Sequence, residues 1–150
     1  MDAVTYPDSN LIKAIHEHFI PVKIPSEDEK LLTNFRIKWT PTLIILDQQG
    51  NDHHRILGFM DSDELIPSLL LGIAKCCFDA DQLENAKNHL DLILERHADS
   101  TVAPEGLFLK GVCRFKQSHD PSILKKTYEQ LYESYPESTW CKRAFPYRLL

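Results

Sequence analysis

No apolar run in this 150-residue sequence approaches the roughly 20 residues a membrane-spanning helix needs; Leu69-Leu70-Leu71 is typical of the runs present. The opening Met1-Asp2-Ala3-Val4 has neither the basic nor the apolar region of a signal peptide, so a cytoplasmic location is expected. Positive charge is scarce: 17 Lys and Arg stand against 22 Asp and Glu, for a net charge of −5. Residues 1–100 hold 17 acids against 9 bases, and even the more basic stretch 121–150 has only 5 bases against 3 acids. That balance argues against nucleic acid as a partner. The five glycines, at 50, 58, 72, 106 and 111, form no phosphate-cradling pattern, and no Ser-His-Asp or paired-carboxylate arrangement can be assembled. The four cysteines, at 76, 77, 113 and 141, have neither zinc-site nor redox-pair spacing. Cys76 and Cys77 are adjacent and point to different faces of a helix, so buried thiols are the expectation. The sequence yields no catalytic residue, metal site or cofactor.

What is present is an ordinary globular composition, 43% hydrophobic and 26% charged, enough for one full core or two small ones. It is organised around Ile37-Lys38-Trp39-Thr40-Pro41-Thr42-Leu43-Ile44-Ile45-Leu46-Asp47. A proline one residue ahead of an apolar run cannot donate to a ladder, so it belongs at the strand entrance, where a tight turn often selects a cis bond; Thr40-Pro41 is that candidate. Leu43–Leu46 reads as a strand covered on both faces. Asp47-Gln48-Gln49-Gly50-Asn51 reads as a hairpin turn, with His54–Phe59 as the returning strand.

Asp8-Ser9-Asn10 offers helix caps, and Leu11, Ile12, Ile15 and Phe19 recur on one face, which predicts an amphipathic helix over 10–19. Ile20-Pro21-Val22-Lys23-Ile24-Pro25 alternates apolar and polar between prolines and predicts a short strand. Ser26 with Glu29 forms a capping box for a helix burying Leu31, Leu32 and Phe35. This order of helix, strand, helix, proline strand, hairpin and helix resembles the thioredoxin fold with its first elements missing. Met1 to Asp8 is similar to the segment after the second redox cysteine in a thioredoxin-like subgroup. The resemblance implies that a Cys-x-x-Cys, and the strand leading to it, belong upstream of residue 1.

Asp61-Ser62 caps a further helix with Leu65, Leu69, Ile73 and Cys76 or Cys77 along it. Leu90–Thr101 aligns with Tyr128–Thr139 at a spacing of 38, matching Glu95 with Glu133, Ser100 with Ser138 and Thr101 with Thr139. Leu70-x-Gly72 pairs with Leu109-x-Gly111 at 39, so each unit is two helices. The small residue in the first helix and Pro136 after the second resemble the tetratricopeptide pattern; a third unit starts at Thr139-Trp140.

The expected fold is therefore α/β then all-α: residues 1–78 an incomplete thioredoxin-like sheet with a cis-proline strand, and residues 62–150 antiparallel tetratricopeptide-like helix pairs, with helix 63–78 shared. By resemblance, Trp39, Thr40 and Pro41 form a peptide-binding cleft, although an aromatic residue before a turn also reads as core. His53-His54 and His16-x-His18 lack the converging partners a metal requires. Tyr128, Tyr132 and Tyr135 with Leu131 read as the buried face of a helix pair. The expected function is non-catalytic protein or peptide binding, with self-association through exposed strand edges and no membrane partner. The alternative is a thiol-disulfide oxidoreductase whose Cys-x-x-Cys lies upstream.

Overall fold

The computed structural model describes residues 1–150. The chain divides into two compact units, Met1–Ile66 and Pro67–Leu150. In the first, the Asp8 carboxylate accepts from the N–H groups of Asn10 and Leu11, both at 2.9 Å, and so starts α1 (Ser9–His18). Leu11 is fully buried and Ile15 and Phe19 are half-buried, whereas Ile12 lies outside. The second helix, α2 (Glu29–Asn34), is capped by Asp28, whose carboxylate accepts from Leu31 N–H at 3.0 Å. The predicted Ser26 cap does not form, because Asp28 offers a charged acceptor closer to the open turn and the Ser26 hydroxyl is held by Glu27 instead. Leu31, Leu32 and Phe35 end up half-buried rather than in a core.

Strands β1 (Thr42–Leu46) and β2 (Asp52–Leu57) pair antiparallel, Leu43 opposite Ile56 and Ile45 opposite His54. Since facing residues share a side of the sheet, Leu43, Ile45 and Ile56 lie on one face, and Ile45 and Ile56 are buried there. The other face carries Thr42, Ile44, Arg55 and an exposed Leu57. β1 is thus fully buried only at Ile45, while Thr42 and Ile44 on the other face are half-buried, so the two-sided burial that its apolar run suggests is met only in part. These are the two strands of the sheet. The predicted strand at Ile20–Ile24 is absent: the segment has no ladder partner, prolines at 21 and 25 remove two donors, and Ile20 and Val22 stand exposed.

Helix α3 (Ser62–Asp79) opens where Asp61 Oδ1 accepts from Glu64 N–H at 3.0 Å. The division between units falls inside it. The second unit continues with α4 (Leu83–Arg96), α5 (Ala103–Ser118), α6 (Ser122–Ser134), α7 (Thr139–Ala144) and a closing 3₁₀ turn, Phe145–Leu149. Cross-links fix the helix directions. Lys87 reaches Gln117 at 2.8 Å, Lys110 pairs with Asp91, and Gly106 faces Leu90 and Ile93, so the start of α4 lies beside the end of α5 and the two are antiparallel. Lys75 pairs with Glu105 at 2.6 Å and Lys116 with Asp81 at 3.0 Å, so α5 runs alongside the preceding α3 segment in the same direction.

The 38-residue period has a structural counterpart. His97 and Tyr135 end α4 and α6 with closely similar backbones (φ −137°, ψ 38° and φ −139°, ψ 55°), each donating to the carbonyl four residues back at 2.8 Å. Ser100 and Ser138 then close the same turn, their N–H groups bonding His97 and Tyr135 carbonyls at 3.0 and 3.1 Å. The core at the α6 and α7 end is Leu131, Cys141 and Ala144, lined by Phe108, Trp140 and Tyr147. A fully buried side chain such as Leu131 contributes about 1.5–3 kcal/mol.

Candidate functional site

Trp39, Thr40 and Pro41 form an exposed corner between α2 and β1. The Thr40-Pro41 peptide is cis. The corner is held from both sides by hydrogen bonds that leave its own groups uncovered. Thr42 donates its hydroxyl to the Trp39 carbonyl at 2.6 Å, and Gly58 donates its N–H to the Pro41 carbonyl at 2.9 Å. Gly58 sits at φ +84°, a conformation that glycine adopts without the clash a Cβ brings, and this lets the chain leaving β2 turn back onto Pro41. Upstream, Arg55 on β2 donates to the Phe35 carbonyl at 2.7 Å and pairs with Asp52, tying the end of α2 to the hairpin.

The consequence is a framed but open surface. The Trp39 side chain is 68% exposed, which corrects its reading as a core residue: the turn ends before the sheet begins and directs the indole outward. The N–H and C=O of Thr40 take no hydrogen bond within the chain. Beyond it, β1 has β2 on one edge and no strand on the other. Gly58 and Arg55 are the supports of this corner that sequence reading missed: the returning strand expected over His54–Phe59 took in Gly58, whereas β2 starts two residues earlier, at Asp52, and ends at Leu57, because Gly58 at φ +84° turns the chain out of the ladder.

The remaining candidates are placed elsewhere. His53 lies in the hairpin with Nε2 3.1 Å from Asp47 Oδ2, and Asp47 also accepts from the N–H groups of Gln49 and Asn51 and from the Asn51 side chain. This constellation shapes a turn. No group of three or more His, Cys, Asp or Glu side chains converges as a metal site would require. The four cysteines are thiols, Cys113 and Cys141 buried, Cys76 and Cys77 half-buried at the C-terminal end of α3. Burial pushes the Cys77 thiol above its ordinary range, with Cys76 adding to it, and burial pushes Cys113 up to about 11. Of the tyrosine stripe, Leu131 is buried and Tyr128 and Tyr135 half-buried, but Tyr132 is 62% exposed, a departure from the expected buried face. No helix is long and apolar enough to cross a membrane.

Among known proteins, the thioredoxin-like domain family matches residues 1–71, the segment that carries the cis-proline corner and the hairpin. No curated protein and no solved structure matches the chain.

Proposed function

We propose that this chain, whose residues 1–71 match the thioredoxin-like domain family, acts in protein or peptide binding and that Trp39, Thr40 and Pro41 are its contact residues. The observation that carries this reading is the open corner: an uncovered indole, a Thr40 backbone with both polar groups unused, and a strand with a free edge directly after it. An extended peptide satisfies all three, pairing with the backbone and laying a side chain against Trp39. Tetratricopeptide-like pairing of α4 to α7 belongs to the same reading, supported by the antiparallel α4 and α5 and the turn repeated at 38 residues. A cytoplasmic location accords with four cysteines held as thiols. A second copy of the chain is the competing occupant of the β1 edge.

The test uses reduced, carboxymethylated lactalbumin, a permanently unfolded polypeptide, labelled for fluorescence anisotropy. Saturable binding is expected, weakened about fivefold or more by Trp39→Ala. Equal binding by the variant would remove this site from the proposal. The family match favours a second reading, a thiol-disulfide oxidoreductase whose Cys-x-x-Cys lies upstream of residue 1. An in-frame Cys-x-x-Cys in the coding sequence just before Met1 would establish that reading, and its absence would dismiss it.

A further inference from the structure

Hydrogen bonds at its two ends fix which backbone groups of β1 point away from β2. The Pro41 carbonyl accepts from Gly58 N–H at 2.9 Å, and Asp47 N–H donates to the Asn51 carbonyl at 3.1 Å. Antiparallel strands alternate, so residues 41, 43, 45 and 47 bond toward β2, and the N–H and C=O of Thr42, Ile44 and Leu46 face the other edge. The register shift between Ile45 and Leu46 leaves this count intact: Ile45 pairs with His54 and Leu46 with Asp52, so the extra residue, His53, lies on β2. None of the three outward residues makes a backbone bond outside the ladder.

The devices that keep an edge from pairing are absent from this one, since Thr42–Leu46 holds no charge and no proline. The edge is also complementary to itself. An antiparallel pairing about a two-fold axis through Ile44 overlaps all five residues: Ile44 meets its own copy, Thr42 meets Leu46, and Leu43 meets Ile45. Every outward-bonding residue then faces another, and Leu43 and Ile45 of both copies continue one apolar face. A slip by one residue would set that face against the opposite one. The Asp47 carboxylates fall at opposite ends of the ladder, so no like charges meet.

We infer that β1 pairs with β1 of a second copy, joining two hairpins into one four-stranded sheet, and that this pairing regulates the peptide site by covering the edge beside Trp39 and Thr40. The regulation rests on the peptide-binding reading above; the pairing does not. Two strands alone make a marginal sheet and gain most from added ones. Peptide and second copy claim the same groups, so the site is open at low concentration and closed at high.

Sedimentation of the intact chain should show the mass rising from 17.3 kDa toward twice that value, with a Kd on the order of 10 µM. Amide hydrogen exchange in the unaltered chain should slow with concentration at Thr42, Ile44 and Leu46 but not at Leu43 and Ile45. Ile44→Lys and Ile44→Glu each set like charges about 5.5 Å apart across the axis and should weaken the dimer about tenfold or more, whereas an equimolar mixture of the two should re-form it. Carboxymethylated lactalbumin should bind either variant alone about fivefold or more tightly than it binds their mixture. Trp39→Ala should weaken lactalbumin binding and leave the dimer unchanged. A monomer at about 200 µM, exchange at Thr42 and Ile44 indifferent to concentration, or a mixture that stays monomeric overturns the pairing. Equal lactalbumin binding by the separate variants and their mixture overturns the regulation. Lactalbumin binding to none of these chains, with the dimer intact, removes the peptide reading and the regulation with it but upholds the pairing.

Discussion

Gly111 and Thr127 approach so closely that no side chain fits at position 111: a Cβ there would collide with Thr127 Oγ1 and stand 2.5 Å from its Cγ2 and 2.8 Å from its Cβ. Thr127 cannot turn away cheaply, since its hydroxyl donates to the Ile123 carbonyl at 2.8 Å. The glycine therefore sets the distance at which α5 and α6 pack.

Gly111→Ala should destabilise the protein by about 1–3 kcal/mol, because overpacking here pushes apart two backbones rather than one flexible side chain. Thr127→Ala in the same chain should restore part of the loss, as it removes the two closest atoms and leaves the Cβ. Urea unfolding midpoints of the single and double variants decide the matter; an unchanged midpoint for Gly111→Ala would show that the helices separate without cost.

The hairpin should be acid-sensitive through Asp47. The Asn51 side chain and N–H, with His53 and Gln49, hold its carboxyl well below the ordinary value of 3.8. A depressed folded-state pKa contributes stability that is present above the unfolded value and lost as pH falls through the folded one. Thermal melts of the wild type should thus decline below about pH 4. Asp47→Ala should be less stable at pH 7 and show a shallower acid decline; parallel wild-type and variant profiles would sink this account.

The chain of 150 residues should not accelerate insulin reduction by dithiothreitol. Cys76 and Cys77 sit at the end of α3 where the helix dipole disfavours a thiolate, and Cys113 is held protonated by burial. A turnover above buffer at micromolar protein would refute the prediction. The same burial predicts alkaline lability. A thiol raised from 9.0 to about 11 contributes stability that is present below 9 and lost as pH rises through 11, so Cys113→Ala should flatten the decline across that window.

Helices were legible where periodicity and capping agreed. Asp8 and Asp61, read as caps, each start a helix with a side-chain bond to the backbone; Ser138 does the same without having been read as one, though the repeat spacing located its turn. The hairpin was legible because Gly50 and Asn51 leave few other conformations open between two apolar runs. Ile20–Pro25 misled because alternation specifies which side chains a strand would bury, not whether a partner strand exists to pair with it. The corner at Trp39, Thr40 and Pro41 could be found from the proline alone. Its exposure and the Gly58 contact could not, the latter because it joins Pro41 to a residue 17 positions away that only the fold brings back to it.

The turn that recurs at His97–Ser100 and Tyr135–Ser138 gives the second unit one junction used twice. In it α4 packs on α5, α5 on α6, and α7 on α5 and α6, so every contact reaches at most two helices along the chain. A 38-residue piece cut at these two turns and spliced in tandem would meet, at each junction, a neighbour shaped like the one it left. On the repeat reading, length in this unit would be adjustable in whole steps, and a lesion in one step would be felt by its neighbours rather than everywhere. Met1–Ile66 has no such freedom. Its buried residues Thr5, Leu11, Ile45, Ile56 and Leu65 come from both ends and the middle of the segment, so a cut within it would divide them.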